Sequence, residues 1–218
     1  MLFQIPDVLS ADELSQLRTT LATAEFVDGK TTAGWYAKQV KHNQQLQRDG
    51  AGQPLEAIVT AALNRHPLFQ VAVRPKQIHN LRFSRYGVGM SYGTHADNAM
   101  MGRYRSDVSF TVFLSEPADY DGGELVIEAA DDEQAYRLQA GSAIVYPSST
   151  LHRVNDVTQG QRLVVVGWVQ SLVRDPAQRE LLFDLDTARR SLYAQHGKTF
   201  EFDLLSKSVS NLLRRWAE

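Results

Sequence analysis

The sequence predicts an α+β protein that is mainly β: a β-sandwich or jelly-roll barrel with helices before and after it. Hydrophobic residues alternate with a period of two from about residue 70 to residue 174, and they recur at helical spacing towards both ends of the chain. Short strand-like runs are separated by clusters of Gly, Asp, Pro and Ser, a pattern typical of antiparallel sandwiches.

Composition narrows the class of protein. The chain has 218 residues, of which 43% are hydrophobic and 22% charged, as expected for one globular domain, or for one domain with a small appendage. The net charge of −2 gives no electrostatic reason to expect nucleic acid as a partner. There is no cysteine, so thiolate metal sites and disulfides are excluded, and any metal ligands must be His, Asp or Glu.

The N-terminus lacks the pattern of a signal peptide, and the longest apolar run, around residues 163–167, is about five residues long. Neither feature predicts a membrane segment, because a membrane-spanning helix needs about 20 apolar residues. We therefore expect a cytoplasmic protein without membrane contact.

The N-terminal elements are predicted by capping signals and helical spacing. Ser10 and Glu13 form a capping box ahead of a helix over about 11–24. Residues 26–53 are polar and predict strand and loop. Pro54 fits the first turn of a second helix.

Six segments then predict strands. They are Val71–Val73, Ile78–Tyr86, Val108–Leu114, Glu124–Ile127, Ala143–Tyr146 and Arg162–Gln170. Helical periodicity returns at Asp175, and Gly197 separates two amphipathic stretches into a helical hairpin. These changes divide the chain into an N-terminal helical and strand segment (1–77), a jelly-roll core (78–174) and a C-terminal helical hairpin (175–218).

Two of the six histidines stand in a setting that indicates metal binding. His95 and Asp97 lie two positions apart in an extended segment, so their side chains point to the same face. His152 follows a Pro-Ser-Ser turn, in a strand that can face them in an antiparallel sandwich. Two histidines and one carboxylate form the facial triad that binds Fe(II) and leaves three positions open. Taken alone, however, the spacing of His95 and Asp97 is a weak signal.

Arg162 begins a strand in which Val164, Val166 and Trp168 share its face. An arginine on an interior face needs a partner, and a carboxylate bound by both arms of the guanidinium is the natural one. The alternative is an arginine at the rim of a strand.

These residues resemble the Fe(II)- and 2-oxoglutarate-dependent dioxygenases, and the chain is similar over nearly its whole length to the bacterial PKHD-type (PiuC/YbiX-like) hydroxylases. The matching segments, in order, are FSRY (83–86), YGTHADN (92–98), DVSFTVFLS (107–115), YDGGEL (120–125), VYPSSTLHRV (145–154), VT (157–158), QS (170–171) and RD (174–175).

The resemblance implies a double-stranded β-helix with His95, Asp97 and His152 as iron ligands, and Arg162 as the residue that binds the distal carboxylate of 2-oxoglutarate. It also implies that Tyr86 contacts this cosubstrate, although a core tyrosine explains that residue equally well. The implied enzyme hydroxylates a substrate, consumes O2, forms succinate and CO2, and uses ascorbate. The family is linked to bacterial iron uptake, but the resemblance does not identify the substrate.

Two other classes of function stay open at this point. One is a cupin-like module that binds a metal and a small molecule. The other is a non-catalytic iron sensor with the C-terminal hairpin as its interface. The leucine stripes of that hairpin also predict pairing between copies of the chain.

The polar segments 26–53 and 98–107 are expected to cover the mouth of the iron pocket. Their basic residues favour an anionic or metal-chelating small substrate; they are Lys38, Lys41, Arg103 and Arg105. Arg105 and Asp107 form either a pair near the entrance of the site or an ordinary ion pair in a loop.

Overall fold

A computed structural model describes residues 1–32, 34–35, 37–47, 52–129 and 132–218 of the chain. Its α-helices are Ala11–Thr23 (α1), Gly52–Arg65 (α2), Pro67–Val73 (α3), Pro176–His196 (α4) and Phe200–Trp216 (α5). Its first eight strands are Phe3–Ile5 (β1), Phe26–Asp28 (β2), Lys41–His42 (β3), Gln44–Leu46 (β4), Pro75–Tyr86 (β5), Ser91–His95 (β6), Met100–Met101 (β7) and Tyr104–Arg105 (β8). The other eight are Val108–Phe113 (β9), Tyr120–Gly122 (β10), Leu125–Glu128 (β11), Glu133–Tyr136 (β12), Ala143–Pro147 (β13), His152–Val154 (β14), Val157–Gly160 (β15) and Arg162–Ser171 (β16).

Two antiparallel sheets dominate the described part of the chain. The larger has seven strands in the order β1-β13-β9-β16-β5-β4-β2, and the smaller has five in the order β12-β11-β14-β6-β3. The remaining strands form two-stranded ribbons, β10 with β15 and β7 with β8. Strands from distant parts of the sequence are therefore neighbours, as in a jelly roll.

The hydrophobic core has two layers, one on each face of the larger sheet. Val164 of β16 belongs to the layer that also contains residues of the smaller sheet. Its neighbour Val165 points the other way and packs with residues of α1, α2 and α3. The sheets thus enclose one core while the N-terminal helices cover the outer face, which is the double-stranded β-helix expected from the sequence.

The predicted N-terminal helices are confirmed, with the Ser10–Glu13 capping box formed at the start of α1. The prediction of a strand at Val71–Val73 is wrong, because these residues form the last turn of α3. A three-residue apolar run does not distinguish a strand from a buried helix. Pro67, at the first position of α3, starts a helix instead.

The C-terminal helices form the predicted pair. The Asp175 side chain accepts a hydrogen bond from the amide of Gln178 at the start of α4, and Gly197 ends that helix with a positive φ of 70°. Val173, Leu182 and Val209 form a separate small core between the two helices and the chain that precedes them. No helix in the described ranges is long and apolar enough to cross a bilayer.

Candidate metal centre and its cavity

Three side chains predicted as metal ligands meet at one end of the sandwich. His95 ends β6 and His152 begins β14, and the two residues lie directly opposite each other in the sheet. Asp97, two residues beyond the end of β6, has Oδ1 at 4.0 Å from His95 Nε2 and Oδ2 at 3.8 Å from His152 Nε2. One ligand atom from each residue lies within 4.8 Å of the others, a spacing that allows a single metal ion between them.

The backbone fixes the orientation of both imidazoles. His95 Nδ1 lies 2.9 Å from the carbonyl oxygen of Gly93, and His152 Nδ1 lies 3.0 Å from that of Thr150. A carbonyl oxygen only accepts, so in each ring Nδ1 carries the proton and donates it. In a neutral ring Nε2 is then left with its lone pair towards the cluster, which is the tautomer that a metal ligand needs.

A pair of serines orients the carboxylate. Ser109 Oγ on β9 donates to Asp97 Oδ2 at 2.6 Å, and Ser148 Oγ lies 2.8 Å from Ser109 Oγ. Since Ser109 gives its only hydroxyl proton to the carboxylate, Ser148 must be the donor in the second bond. This chain of hydroxyls directs Asp97 without neutralising its charge.

The cluster is shielded from solvent. His95 is 7% exposed and His152 is 4% exposed. Burial, reinforced by the nearby His152, lowers the pKa of His95 to about 4, so the ring stays neutral at physiological pH. The Tyr92 ring stacks on His95 with its centroid 3.7 Å away.

A cavity of about 320 Å³ opens beside this cluster, between the two sheets. Alternate residues of β5 contribute to its wall, because a strand presents every second side chain to the same face; they are Asn80, Arg82, Ser84 and Tyr86. Residues 26–53 and 98–107 also contribute, as expected, with Lys41 and Met101 among them.

Arg162, at the start of β16, lies in the wall of this cavity and is 1% exposed. Its guanidinium lies 5.0 Å from the centre of the Tyr86 ring and 5.6 Å from that of Phe113. Nε and Nη1 are buried and have no hydrogen-bond partner among the described residues. A buried guanidinium in this state fits an anionic ligand with two oxygens, because such a charge is costly unless it is paired.

The turn beside Arg162 needs glycine. Gly123 has a φ of +64°, and a side chain there would place its Cβ 2.8 Å from Val157 Cγ2 and 3.2 Å from Arg162 Cδ. The Gly122–Gly123 pair thus allows the chain to pass close to the arginine. Tyr86, the weaker predicted residue, is buried against the guanidinium, and burial raises the pKa of its hydroxyl.

The basic residues predicted near the mouth have different environments. Lys41 lines the cavity, whereas Lys38 is exposed and does not. Arg103 donates to the Tyr104 hydroxyl at 2.6 Å. The expectation that Arg105 offers its charge to an anionic substrate is wrong, because its guanidinium is paired with Asp107 and Glu218.

Arg105 joins the β7–β8 hairpin, at the mouth of the cavity, to the C-terminus. Its guanidinium donates to both carboxylate oxygens of Asp107, to Oε2 of Glu218 at 2.7 Å and to the carbonyl oxygen of Ser171. Asp107 in turn accepts from the amide of Ser171 at 2.9 Å. Of the two interpretations of the Arg105–Asp107 pair, the structural ion pair is the one observed.

The serine pair behind Asp97 was not singled out from the sequence. One signal was present: every residue of β9 is buried, yet Ser109 is polar. A buried hydroxyl needs a partner, but which partner it meets depends on the pairing of β9 with β13, which brings Ser109 opposite Tyr146 and near Ser148.

The fold and the cluster of His95, Asp97 and His152 together define the class of protein, the 2OG-Fe(II) oxygenases. Residues 81–170 match the family model of the 2OG-Fe(II) oxygenase superfamily. Among solved structures, a Pseudomonas putida prolyl-4-hydroxylase is similar at a TM-score of 0.53 and 25% identity, over 78% of this chain and 92% of that one. A Burkholderia pseudomallei oxidoreductase of the 2OG-Fe(II) oxygenase family has a TM-score of 0.57 at 18% identity, over 78% and 84% of the two chains.

The particular family follows from closer relatives. Residues 176–218 match the PKHD-type hydroxylase C-terminal domain. A PKHD-type hydroxylase of a Picosynechococcus species is 64% identical over 219 residues, covering 100% of both chains. One from Acaryochloris marina is 65% identical with the same coverage. The chain belongs to the PKHD-type hydroxylases, a family of Fe(II)- and 2-oxoglutarate-dependent enzymes.

Proposed function

We propose that His95, Asp97 and His152 bind Fe(II) and that Arg162 binds the distal carboxylate of 2-oxoglutarate. The enzyme then hydroxylates a substrate that is still to be identified. Bound Fe(II) and 2-oxoglutarate supply the oxidising chemistry, with O2 consumed and succinate and CO2 formed.

The observation that supports this most strongly is the state of Arg162. Its charge is almost completely buried, and two of its nitrogens lack partners in the described part of the chain. Arginine binds a carboxylate through two parallel hydrogen bonds, so a dicarboxylic oxo acid would satisfy both nitrogens at once. The donor set of the triad is equally suitable, since two imidazoles and one carboxylate favour a divalent iron with open positions.

The protein's own residues do the positioning. The carbonyl oxygens of Gly93 and Thr150 hold both Nε2 atoms towards one point, and Ser109 holds the carboxylate. The aromatic rings of Tyr86 and Phe113 leave water little space around the guanidinium, which strengthens its pairing with an anion. We propose that Tyr86 contacts 2-oxoglutarate from this position.

The test is succinate formation from 2-oxoglutarate by the Fe(II)-loaded protein, first without a substrate and then with cell extract, in which products that gain one oxygen are sought by mass spectrometry. We expect slow succinate formation alone and a faster rate with extract. A protein that binds iron without forming succinate would instead support the iron sensor, and one that ignores 2-oxoglutarate would support the cupin-like module.

Three further features of the proposed enzyme follow from its family resemblance. We propose ascorbate as its reductant, a cytoplasmic location and a role in iron homeostasis. The first is tested by comparing succinate formation with and without ascorbate, and equal rates would contradict it.

We also propose that two chains pair through the C-terminal helices. Leu181 of α4 and Phe200 and Leu204 of α5 are exposed there. Light scattering after gel filtration measures the mass in solution, and a monomer at every concentration would contradict this pairing.

A further inference from the structure

Two basic side chains of the cavity, Lys41 and Arg82, are not assigned to iron or 2-oxoglutarate by the proposed function, and Lys41 is the nearer to the metal cluster in its contacts. Lys41 of β3 is only 6% exposed and lines the same cavity as the metal cluster. Its Nζ lies 5.2 Å from the centre of the Tyr92 ring, which itself stacks on His95. The ammonium group is therefore one aromatic ring away from a proposed iron ligand.

Within the described part of the chain, the hydrogen-bonding capacity of Lys41 is only partly used. Its Nζ donates to Thr32 Oγ1 at 3.2 Å, while an ammonium group has three protons to donate. Burial lowers its pKa to about 8, against the smaller opposing effects of Asp97 and Asp28, so the charged form still predominates at neutral pH. A buried charge of this kind calls for an anionic partner.

The balance of charge in the cavity supports the same conclusion. Among the described residues that line it, Asp97 is the only acid, while Lys41, Arg82 and Arg162 are basic. The charges of Fe(II), Asp97, 2-oxoglutarate and Arg162 cancel when the proposed complex is formed. Lys41 and Arg82 then have no counter-ion among the described residues that line the cavity.

The donors around the cavity lie on both sheets. Arg82 is on β5 of the larger sheet, and the hydrogen bond found for its guanidinium is a local one, to the carbonyl oxygen of Leu81 at 3.1 Å. The indole N–H of Trp168, on β16, is buried without an acceptor among the described residues. Lys41 faces them from the smaller sheet. These three side chains thus place hydrogen-bond donors on both sides of the cavity.

We propose that the substrate bears a carboxylate group and that Lys41 binds it beside the metal centre. This inference rests on the proposed function, which assigns the iron and Arg162 sites, and it adds the charge class of the substrate. A carboxylate supplies the oxygens that Lys41 lacks and neutralises part of the remaining positive charge. The substrate is then an acid small enough to share the cavity with 2-oxoglutarate.

The test uses a matched pair of probes, 3-phenylpropionate and 3-phenylpropionamide, which differ in charge but hardly in shape. Their affinities are measured by ligand-observed NMR on protein loaded with Zn(II) and saturated with 2-oxoglutarate, so that Arg162 is already occupied. We expect the acid to bind about 10-fold or more tightly than the amide. Lys41→Met should bring the ratio close to one, and Lys41→Arg should keep most of the preference.

Lys38→Met is the matched control, because it removes the same charge from an exposed position three residues away. It should keep the preference for the acid. Equal affinity of wild type for acid and amide, or a preference that survives in Lys41→Met, would overturn the proposal. So would a loss of 2-oxoglutarate affinity in Lys41→Met as large as its loss of acid affinity, since Lys41 would then support the cosubstrate.

The two proposals fail in distinguishable ways. A Zn(II)-loaded protein that binds no 2-oxoglutarate contradicts the proposed function. A 2-oxoglutarate complex that binds acid and amide alike contradicts the carboxylate site alone.

Discussion

Each proposed iron ligand has a hydrogen bond that fixes the orientation of its side chain. The two histidines donate Nδ1–H to the carbonyl oxygen of the residue two positions earlier, so the same local geometry is used twice. Asp97 depends instead on a hydroxyl from a different sheet, that of Ser109. The carboxylate is thus the ligand whose orientation a single side-chain substitution changes most directly.

Ser109→Ala should weaken metal binding by about 10- to 100-fold, because it removes the hydrogen bond that orients Asp97 and leaves Ser148 without its acceptor. Competitive titration with Zn(II) and a chelator measures this affinity. Ser115→Ala is the control, since that buried hydroxyl bonds the backbone at Gln161 and Leu163, away from the cluster. Equal metal affinity in Ser109→Ala and wild type would show that the serine does not support the ligand.

At this scale the sequence predicted the side chains that short-range geometry brings together. Strand alternation placed His95 with Asp97 and put Arg162 on an interior face. It predicted the Arg105–Asp107 pair, but it did not predict the hydrogen bond from Ser109 or the contact of Arg105 with Glu218, because both depend on residues distant in the sequence.

Among the elements, α1 shows how a local signal is joined to the rest of the fold. Glu13 closes the capping box by accepting from the amide of Ser10 at 2.9 Å. Arg65, in the last turn of α2, donates to both oxygens of the same carboxylate and to the carbonyl oxygen of Val8. The arginine thus links the ends of two helices that pack on the same sheet.

This contact predicts a pH dependence of stability. Hydrogen bonding to Arg65 lowers the pKa of Glu13 to about 2, below its ordinary value of 4.5. Its folded pKa is below its unfolded pKa, so the carboxylate stabilises the fold above pH 4.5, and this contribution is lost as the pH falls towards 2. Because the Arg65 side chain is half exposed, we expect the ion pair to contribute only about 1 kcal/mol to the free energy of unfolding.

Glu13→Gln should therefore lower the free energy of unfolding by about 1 kcal/mol at pH 7 and by less at pH 3, as measured by urea denaturation. Glu180→Gln, on the exposed side of α4, serves as the control and should change little at either pH. If Glu13→Gln lowered the free energy of unfolding equally at both pH values, the stabilising role assigned to the Glu13 charge would be contradicted.

The elements themselves were predicted unevenly. Capped helices and long strands such as β5 and β16 were predicted close to their observed bounds. The segment Val71–Val73 was not, because its helix is short and its apolar residues pack into the core from α3. Tertiary packing decides the structure of such short runs.

In the whole molecule, the C-terminal helices are joined to the mouth of the cavity through Arg105. We propose a division of the chain into an N-terminal segment (1–77) that packs on the jelly roll, the jelly-roll core (78–174) and the C-terminal hairpin (175–218), and at the second boundary this arginine connects the core to the hairpin. The strand pair β7–β8 borders the cavity, and Glu218 follows α5. Their ion pair therefore links the end of the chain to a segment beside the metal cluster.

Arg105→Ala should destabilise the protein by about 1–3 kcal/mol, because it leaves the buried carboxylate of Asp107 without its cation. Urea denaturation measures the change, and Arg103→Ala, two residues earlier in the same hairpin, should cost less than about 0.5 kcal/mol. Equal effects of the two substitutions would contradict the link between hairpin and C-terminus.

We propose that the triad and Arg162 form one site, with iron at one position and the distal carboxylate of 2-oxoglutarate at the other. Anaerobic equilibrium dialysis of labelled 2-oxoglutarate against the Fe(II)-loaded protein tests it most directly. We predict one bound molecule per wild-type chain and none in Asp97→Ala, which lacks a ligand to the iron. In Arg162→Ala the iron should remain while the affinity falls by about 30-fold or more. Wild-type binding of 2-oxoglutarate by Arg162→Ala or by Asp97→Ala would contradict the claim.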